Sequence, residues 1–251
     1  MKKIMQKLPL CFISLIVTFS FSVPASVSAQ SNNDQTSNNN IVLNMTDKNS
    51  WEYTEVKDGE KYKIVEEVEP ESYEVQSKIY KKDDQGNYKL EIKQTSRINE
   101  IQSKQIIKSM EDGKTKTETV DLGTPAKNNT NVNERSDDIS VYADELTPWK
   151  YTGTNEGDYD VPVDATAGTV ASGLAYLIGG WPGMLIGAGT AIVAASIDQA
   201  YARWTTWHKN PVGTTILAGI KKKAKIYETS AKVELLEEKT DVDCAEGYDC
   251  S

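Results

Sequence analysis

Histidine is nearly absent from this chain: His208 is the only one in 251 residues. A Ser–His or Cys–His nucleophilic pair would have to use it, and it lies among Trp204, Trp207 and Lys209 with no nucleophile motif nearby. Cysteine is scarce too. Cys11 sits in an apolar leader that contains no lipid-attachment box, and only Cys244 and Cys250 follow it. Two thiols and one distant imidazole fall short of the four ligands of a structural zinc site. Positive charge is in deficit, with 28 Lys+Arg against 37 Asp+Glu and a formal net charge of −9. That balance argues against a nucleic-acid partner, because binding polyphosphate needs a positive field that displaces counterions. Phosphate loops and dinucleotide fingerprints are missing, since the Gly-rich stretch is apolar and has no lysine placed to hold a phosphate. No cofactor, no metal and no catalytic residue is expected.

What is present describes one or two soluble domains, 26% charged and 38% hydrophobic. Residues 1–29 read as a signal peptide. Lys2, Lys3 and Lys7 form a basic n-region, Leu8 to Phe21 an apolar h-region, and Val27-Ser28-Ala29 a small-residue cleavage site. Without its three lysines the mature chain holds 25 cations against 37 acids, net −12. A secreted, extracellular protein follows, and in an oxidising compartment Cys244 and Cys250 form one local disulfide.

Residues 30–40 (QSNNDQTSNNN) form a polar tract without an apolar anchor and read as disordered. From residue 41 to 122 short β-type runs alternate with turn chemistry. Tyr73, Val75, Ser77 and Ile79, then Tyr88, Leu90 and Ile92, alternate with polar residues between turns such as Lys57-Asp58-Gly59-Glu60 and Glu111-Asp112-Gly113-Lys114. This predicts an acidic antiparallel β-meander with one wet face, on which Glu66, Glu67, Lys81 and Lys82 are solvated. Residues 101–110 fit a strand or a short helix equally. Residues 123–155 read as a linker, and 156–251 as an apolar helical hairpin with a basic, aromatic flank, a short β segment and the Cys-containing tail. The expected class is α+β.

The hairpin expectation rests on Ala165–Ile197, which is 33 residues without a charge. Gly179-Gly180-Trp181-Pro182-Gly183 breaks it into two arms. Ala167, Ala171, Ala175 and Gly179 recur every four residues in the first arm, and Gly183, Gly187, Ala191 and Ala195 in the second. Residues four apart share a helix face, so these stripes predict a close helix–helix seam of the glycine-zipper kind used in lipid. Leu174, Leu177, Ile178, Trp181, Leu185, Ile186, Ile192 and Val193 lie off the stripes and are the expected membrane-inserting residues. An arm of about 14 residues reaches only about 21 Å, against a bilayer core of about 30 Å, so a resident two-pass anchor fits poorly. A helix pair stored in a soluble protein and later inserted fits better.

The flank suits an interface. Tyr201, Arg203, Trp204, Trp207, Lys209, Lys221, Lys222 and Lys223 fall in a stretch with no acid between Asp198 and Glu228. Rings and cations belong at headgroup level. Glu156, Asp158, Asp160 and Asp164 precede the hairpin. Their spacing matches no EF-hand, so a solvated loop is favoured over a calcium site.

The signal peptide, acidic β-rich half, and Gly/Ala-rich segment followed by Trp and Lys resemble the large, unmodified geobacillin-type bacteriocins of Gram-positive bacilli, chiefly over Ala165 to Trp207. That resemblance implies an exported antimicrobial protein acting at the envelope of related species. Bacterial membrane lipid is then the partner, with self-association in the membrane and, if one exists, a cell-surface receptor that the sequence does not specify. The competing reading is a secreted binding or envelope-associated protein whose hairpin is a structural core. A secreted hydrolase has only unassigned carboxylates in its favour.

Overall fold

The computed structural model describes residues 41–47, 49–69, 72–123, 145–245 and 247–250. The expected signal peptide, the polar tract and most of the expected linker lie outside them. Among the described residues 56% lie in strands and 14% in helices.

The first half is the meander that its turns predict. Strands β1 (Val42–Asp47), β2 (Ser50–Lys57), β3 (Glu60–Glu69), β4 (Glu74–Lys82), β5 (Tyr88–Asn99), β6 (Lys104–Glu111) and β7 (Lys114–Asp121) form one antiparallel sheet in sequence order. Two of its hairpins close on Asp-Gly pairs with positive φ at both residues: Asp58 (54°) with Gly59 (79°), and Asp112 (47°) with Gly113 (73°). Such pairs twist in the same sense as the strands they join, which fixes the register Lys57↔Glu60 and Glu111↔Lys114. The stretch that fitted strand or helix equally is mostly β6.

The second half departs from the expectation. Strands β8 (Lys150–Asp160), β9 (Gln199–Lys209), β10 (Gly219–Tyr227) and β11 (Leu235–Cys244) form a second antiparallel sheet in the order β11-β10-β9-β8. The end of the expected linker is therefore strand β8, and the basic, aromatic flank is a strand pair. Between β8 and β9 the chain forms helix α1 (Ala167–Ile178), a 3₁₀ turn (Pro182–Leu185) and helix α2 (Ile186–Ala195).

The α+β class with a helical hairpin is thus corrected to two antiparallel sheets enclosing two short helices. The helices are bent by 114° at the break, so they cross instead of running back alongside one another. Helix α1 starts at Thr166, whose hydroxyl accepts from Thr169 N–H, and stops at Gly179 in the left-handed region (φ 68°). It packs against β3, β4 and β5 on one side and β8 and β9 on the other. The core runs through this contact, from Trp51, Ile64 and Val75 through Leu174 and Ile178 to Trp204 and Ile226.

Candidate functional site

All twelve residues of α1 are buried. Glycine makes this approach feasible at three points. A Cβ on Gly168 would lie 2.9 Å from the Glu66 carboxylate, and one on Gly173 would lie 2.4 Å from the Tyr159 ring. On α2, a Cβ at Gly189 would stand 2.2 Å from the backbone oxygen of Ala167. The helix contact therefore runs through Gly189, which is not on the predicted stripe. Gly187 faces Glu237 of β11, Gly183 lies against the Trp181 ring, and Ala195 is exposed. The second stripe is spent on the sheet, the turn and the surface. In the first stripe Ala167, Ala171 and Ala175 are buried, and Gly179 is the C-cap.

Polar groups fix the helix in this position. Glu66 is buried and accepts hydrogen bonds from Trp51 Nε1 (2.9 Å), Ser77 Oγ (2.7 Å) and the Gly168 backbone N–H (2.9 Å). Gln105 donates to the Thr169 carbonyl at 2.8 Å and accepts from the Tyr159 hydroxyl at 2.8 Å. Burial drives the Tyr159 hydroxyl pKa far above its usual range, so it stays a donor. Ser172 Oγ donates to the Tyr73 carbonyl at 2.6 Å, and the Tyr53 hydroxyl accepts from Ala167 N–H at 2.9 Å. At the other end, Lys222 of β10 donates to the Gly179 carbonyl and caps the C-terminus. Its burial lowers the ammonium pKa, against smaller opposing effects of Asp241 and Asp243.

Glu66 was missed as a site because it read as solvated. Its parity tells otherwise: it alternates in step with Ile64 and Val68, which are core, whereas Glu67 is exposed.

Of the residues expected to insert, Leu174, Leu177, Ile178, Leu185, Ile186 and Ile192 are buried, while Trp181 and Val193 are half-buried. The Trp181 indole nitrogen, at the bend, is shielded from solvent with no hydrogen-bond partner among the described residues.

The expected interfacial residues divide by strand parity. Trp204 and Lys222 face α1, which removes both from any exposed interface. Tyr201, Arg203, Trp207 and Lys209 of β9, with Lys221 and Lys223 of β10, share the opposite face of the sheet. There Lys221 Nζ lies 4.9 Å from the Trp149 ring centroid and 5.0 Å from that of Trp207, and Lys209 Nζ lies 5.2 Å from Trp149. Exposed Tyr151 pairs with Trp207 across β8 and β9. The lower end is neutralised: Arg203 meets Glu156 (3.4 Å), and Lys223 meets Glu238 (2.6 Å). The face is thus cationic and aromatic at the Trp149–Trp207 end. Tyr201 is largely covered, with the Lys232 ammonium 5.2 Å from its ring.

Comparison with protein-family models, curated proteins and solved structures gave no match. Reading the site therefore rests on its chemistry. Among the described residues no three His, Cys, Asp or Glu are grouped to hold a metal ion. The acidic cluster is dispersed into separate contacts: Glu156 with Lys232 and Arg203, Asp160 with Gln199, and Asp164 with Lys57 and Lys116. His208 is half-buried, and burial with nearby Lys222 lowers its pKa. A disulfide joins Cys244 to Cys250.

Proposed function

We propose that this is an exported antibacterial protein that acts on target-cell membranes by releasing the enclosed α1–α2 segment. The observation that carries this reading is an uncharged helix, buried at every position, inside a protein that is a quarter charged. Among the described residues no single helix is long and apolar enough to cross a membrane, whereas the bent pair together meets that test of length and composition.

Leu174, Leu177, Ile178 and Ile192 are shielded from water in the protein and would be equally shielded in lipid, so their own transfer is nearly neutral. Two terms oppose release. Sheet residues that share the core with α1, among them Trp51, Ile64, Val75, Trp204 and Ile226, lose that cover unless the two sheets close on each other. Release also breaks the bonds to Tyr53, Gln105 and Tyr73, about 1 kcal/mol net each, and those to the Glu66 carboxylate and the Lys222 ammonium, about 1.5–3 kcal/mol each. Contact with the bilayer has to supply that much. The Trp149, Trp207, Lys209 and Lys221 end of the second sheet suits an anionic headgroup layer. Headgroup acceptors would also satisfy the Trp181 indole N–H. The resemblance to geobacillin-type bacteriocins supports the same reading.

A second reading is favoured by the network itself: α1 is a permanent core, and the protein is a secreted binding or envelope-associated one. Growth inhibition of Gram-positive strains by the purified mature chain, read with a membrane-potential dye, separates the two. Depolarisation preceding growth arrest supports membrane action. Inhibition with polarised membranes, or none in any strain, leaves the core reading standing.

A further inference from the structure

Helix α1 packs on β3, β4 and β5 and leaves part of the inner face of the seven-stranded sheet uncovered. Beyond its N-terminus, toward the β2–β3 and β6–β7 turns, lies a cavity of about 1070 Å³ lined also by the chain entering α1 and the end of α2. Its floor is apolar, with Tyr62, Ile64, Ile79, Ile92 and Ile107 from adjacent strands, and Ile192 and Val193 face it from α2.

Around this floor the charge is one-sided. Eight carboxylates line the cavity against three lysines. Two of those lysines, Lys57 and Lys116, are already held by Asp164 at 2.7 and 3.4 Å. Glu91 occupies the bulge where β5 slips against β4, between the pairs Ile79↔Ile92 and Tyr80↔Leu90. One of its carboxylate oxygens is shielded from solvent and has no hydrogen-bond partner among the described residues. Across the cavity Glu55 is largely buried, and desolvation raises its pKa, with Lys57 opposing that shift and Glu66 adding to it. A carboxylate oxygen shielded from water without a donor is unfavourable, and a bound cation removes that penalty.

We propose that this cavity binds an amphipathic organic cation: one ammonium group, paired with Glu91, on a hydrocarbon or aromatic body lying over the isoleucine floor. A bare metal ion fits less well, because among the described residues no three ligating side chains are grouped to hold one. An anionic amphiphile would meet the excess of carboxylates. The site exists only while α2 is in place, since Ile192 and Val193 line it, but it does not rest on the membrane action proposed above and its test uses no membrane.

Isothermal titration of the mature chain with octylammonium, octanol and octanoate tests it, the three probes sharing one alkyl chain. One octylammonium should bind per protein, at least tenfold more tightly than octanol, with octanoate weaker still. Glu91→Gln should weaken octylammonium at least tenfold and leave octanol unchanged. Glu69→Gln, an exposed site away from the cavity, should change nothing. Circular dichroism confirms that each variant is folded. Equal binding of octylammonium and octanol, or no effect of Glu91→Gln in a folded protein, would overturn the proposal, as would absence of any saturable heat.

Discussion

Gly187→Lys separates stability in water from the proposed membrane action. In the folded protein a Cβ at this position meets only the end of the Glu237 side chain, 2.6 Å away, which is flexible and can turn aside. The new ammonium then stands beside that carboxylate, a surface pair worth about 0–1 kcal/mol. Replacing a helical glycine gains roughly another 0.5 kcal/mol in propensity. Stability in water should therefore rise by no more than about 1.5 kcal/mol, read as the midpoint of urea unfolding. If the segment inserts as proposed, the same lysine lies at the start of α2, where its cost is at most the about 2.5–3.5 kcal/mol of a charge at a helix centre. That would lower insertion by up to roughly 300-fold, at about 1.4 kcal/mol per decade. Dye release from anionic liposomes should fall accordingly while the urea midpoint does not fall. Undiminished release by the folded variant would refute the claim that α2 enters the lipid.

Gly189→Ala should destabilise by about 1–3 kcal/mol despite its better helix propensity, because the new methyl meets the Ala167 backbone; a urea midpoint at or above the parent's contradicts the packing. Glu66→Ala strands the Trp51, Ser77 and Gly168 donors and should reduce stability by at least about 3 kcal/mol, measured the same way. Glu55 and Asp164 set opposite pH dependences. Since the Glu55 pKa is raised on folding, its ionisation opposes folding at neutral pH. Glu55→Gln should therefore stabilise at pH 7, and the gain should fade as pH falls below about 4, where the unfolded chain is also protonated. Asp164 is held low, first by its hydrogen bond to Lys57. Its stabilisation is present above about pH 4 and lost as pH falls through the depressed value, a small effect because the side chain is half exposed. Reducing Cys244–Cys250 should lower stability by at most about 2 kcal/mol, because the closed loop is short, and leave the near-UV dichroism of the core intact.

The meander was legible because its information is local: Asp-Gly pairs and alternation over a few residues determine hairpins between strands adjacent in sequence. The second sheet hides its information in distance. Strands β8 and β9 pair across the whole helical segment, and nothing in Gln199–Lys209 announces a partner forty residues upstream. The Tyr201-Trp204-Trp207 spacing fits a helix face, whereas strand parity sends Trp204 inward and Tyr201 and Trp207 outward. Small residues every four positions identified close packing but not its target: Gly187 accommodates Glu237, and the off-stripe Gly189 accommodates α1. Buried Glu66 illustrates the same limit. Its alternation with Ile64 and Val68 was readable, but its three donors come from β2, β4 and α1 and converge only in the folded chain.

Release of α2 into lipid is tested most directly by an environment-sensitive fluorophore on a cysteine at Ala195, which is exposed at the end of α2 and tolerates a label. Adding anionic vesicles should shift its emission to the blue and bring it within reach of quenchers attached to the acyl chains. Emission that stays aqueous and unquenched at every lipid composition and pH would contradict membrane entry and leave α1 and α2 as a fixed core.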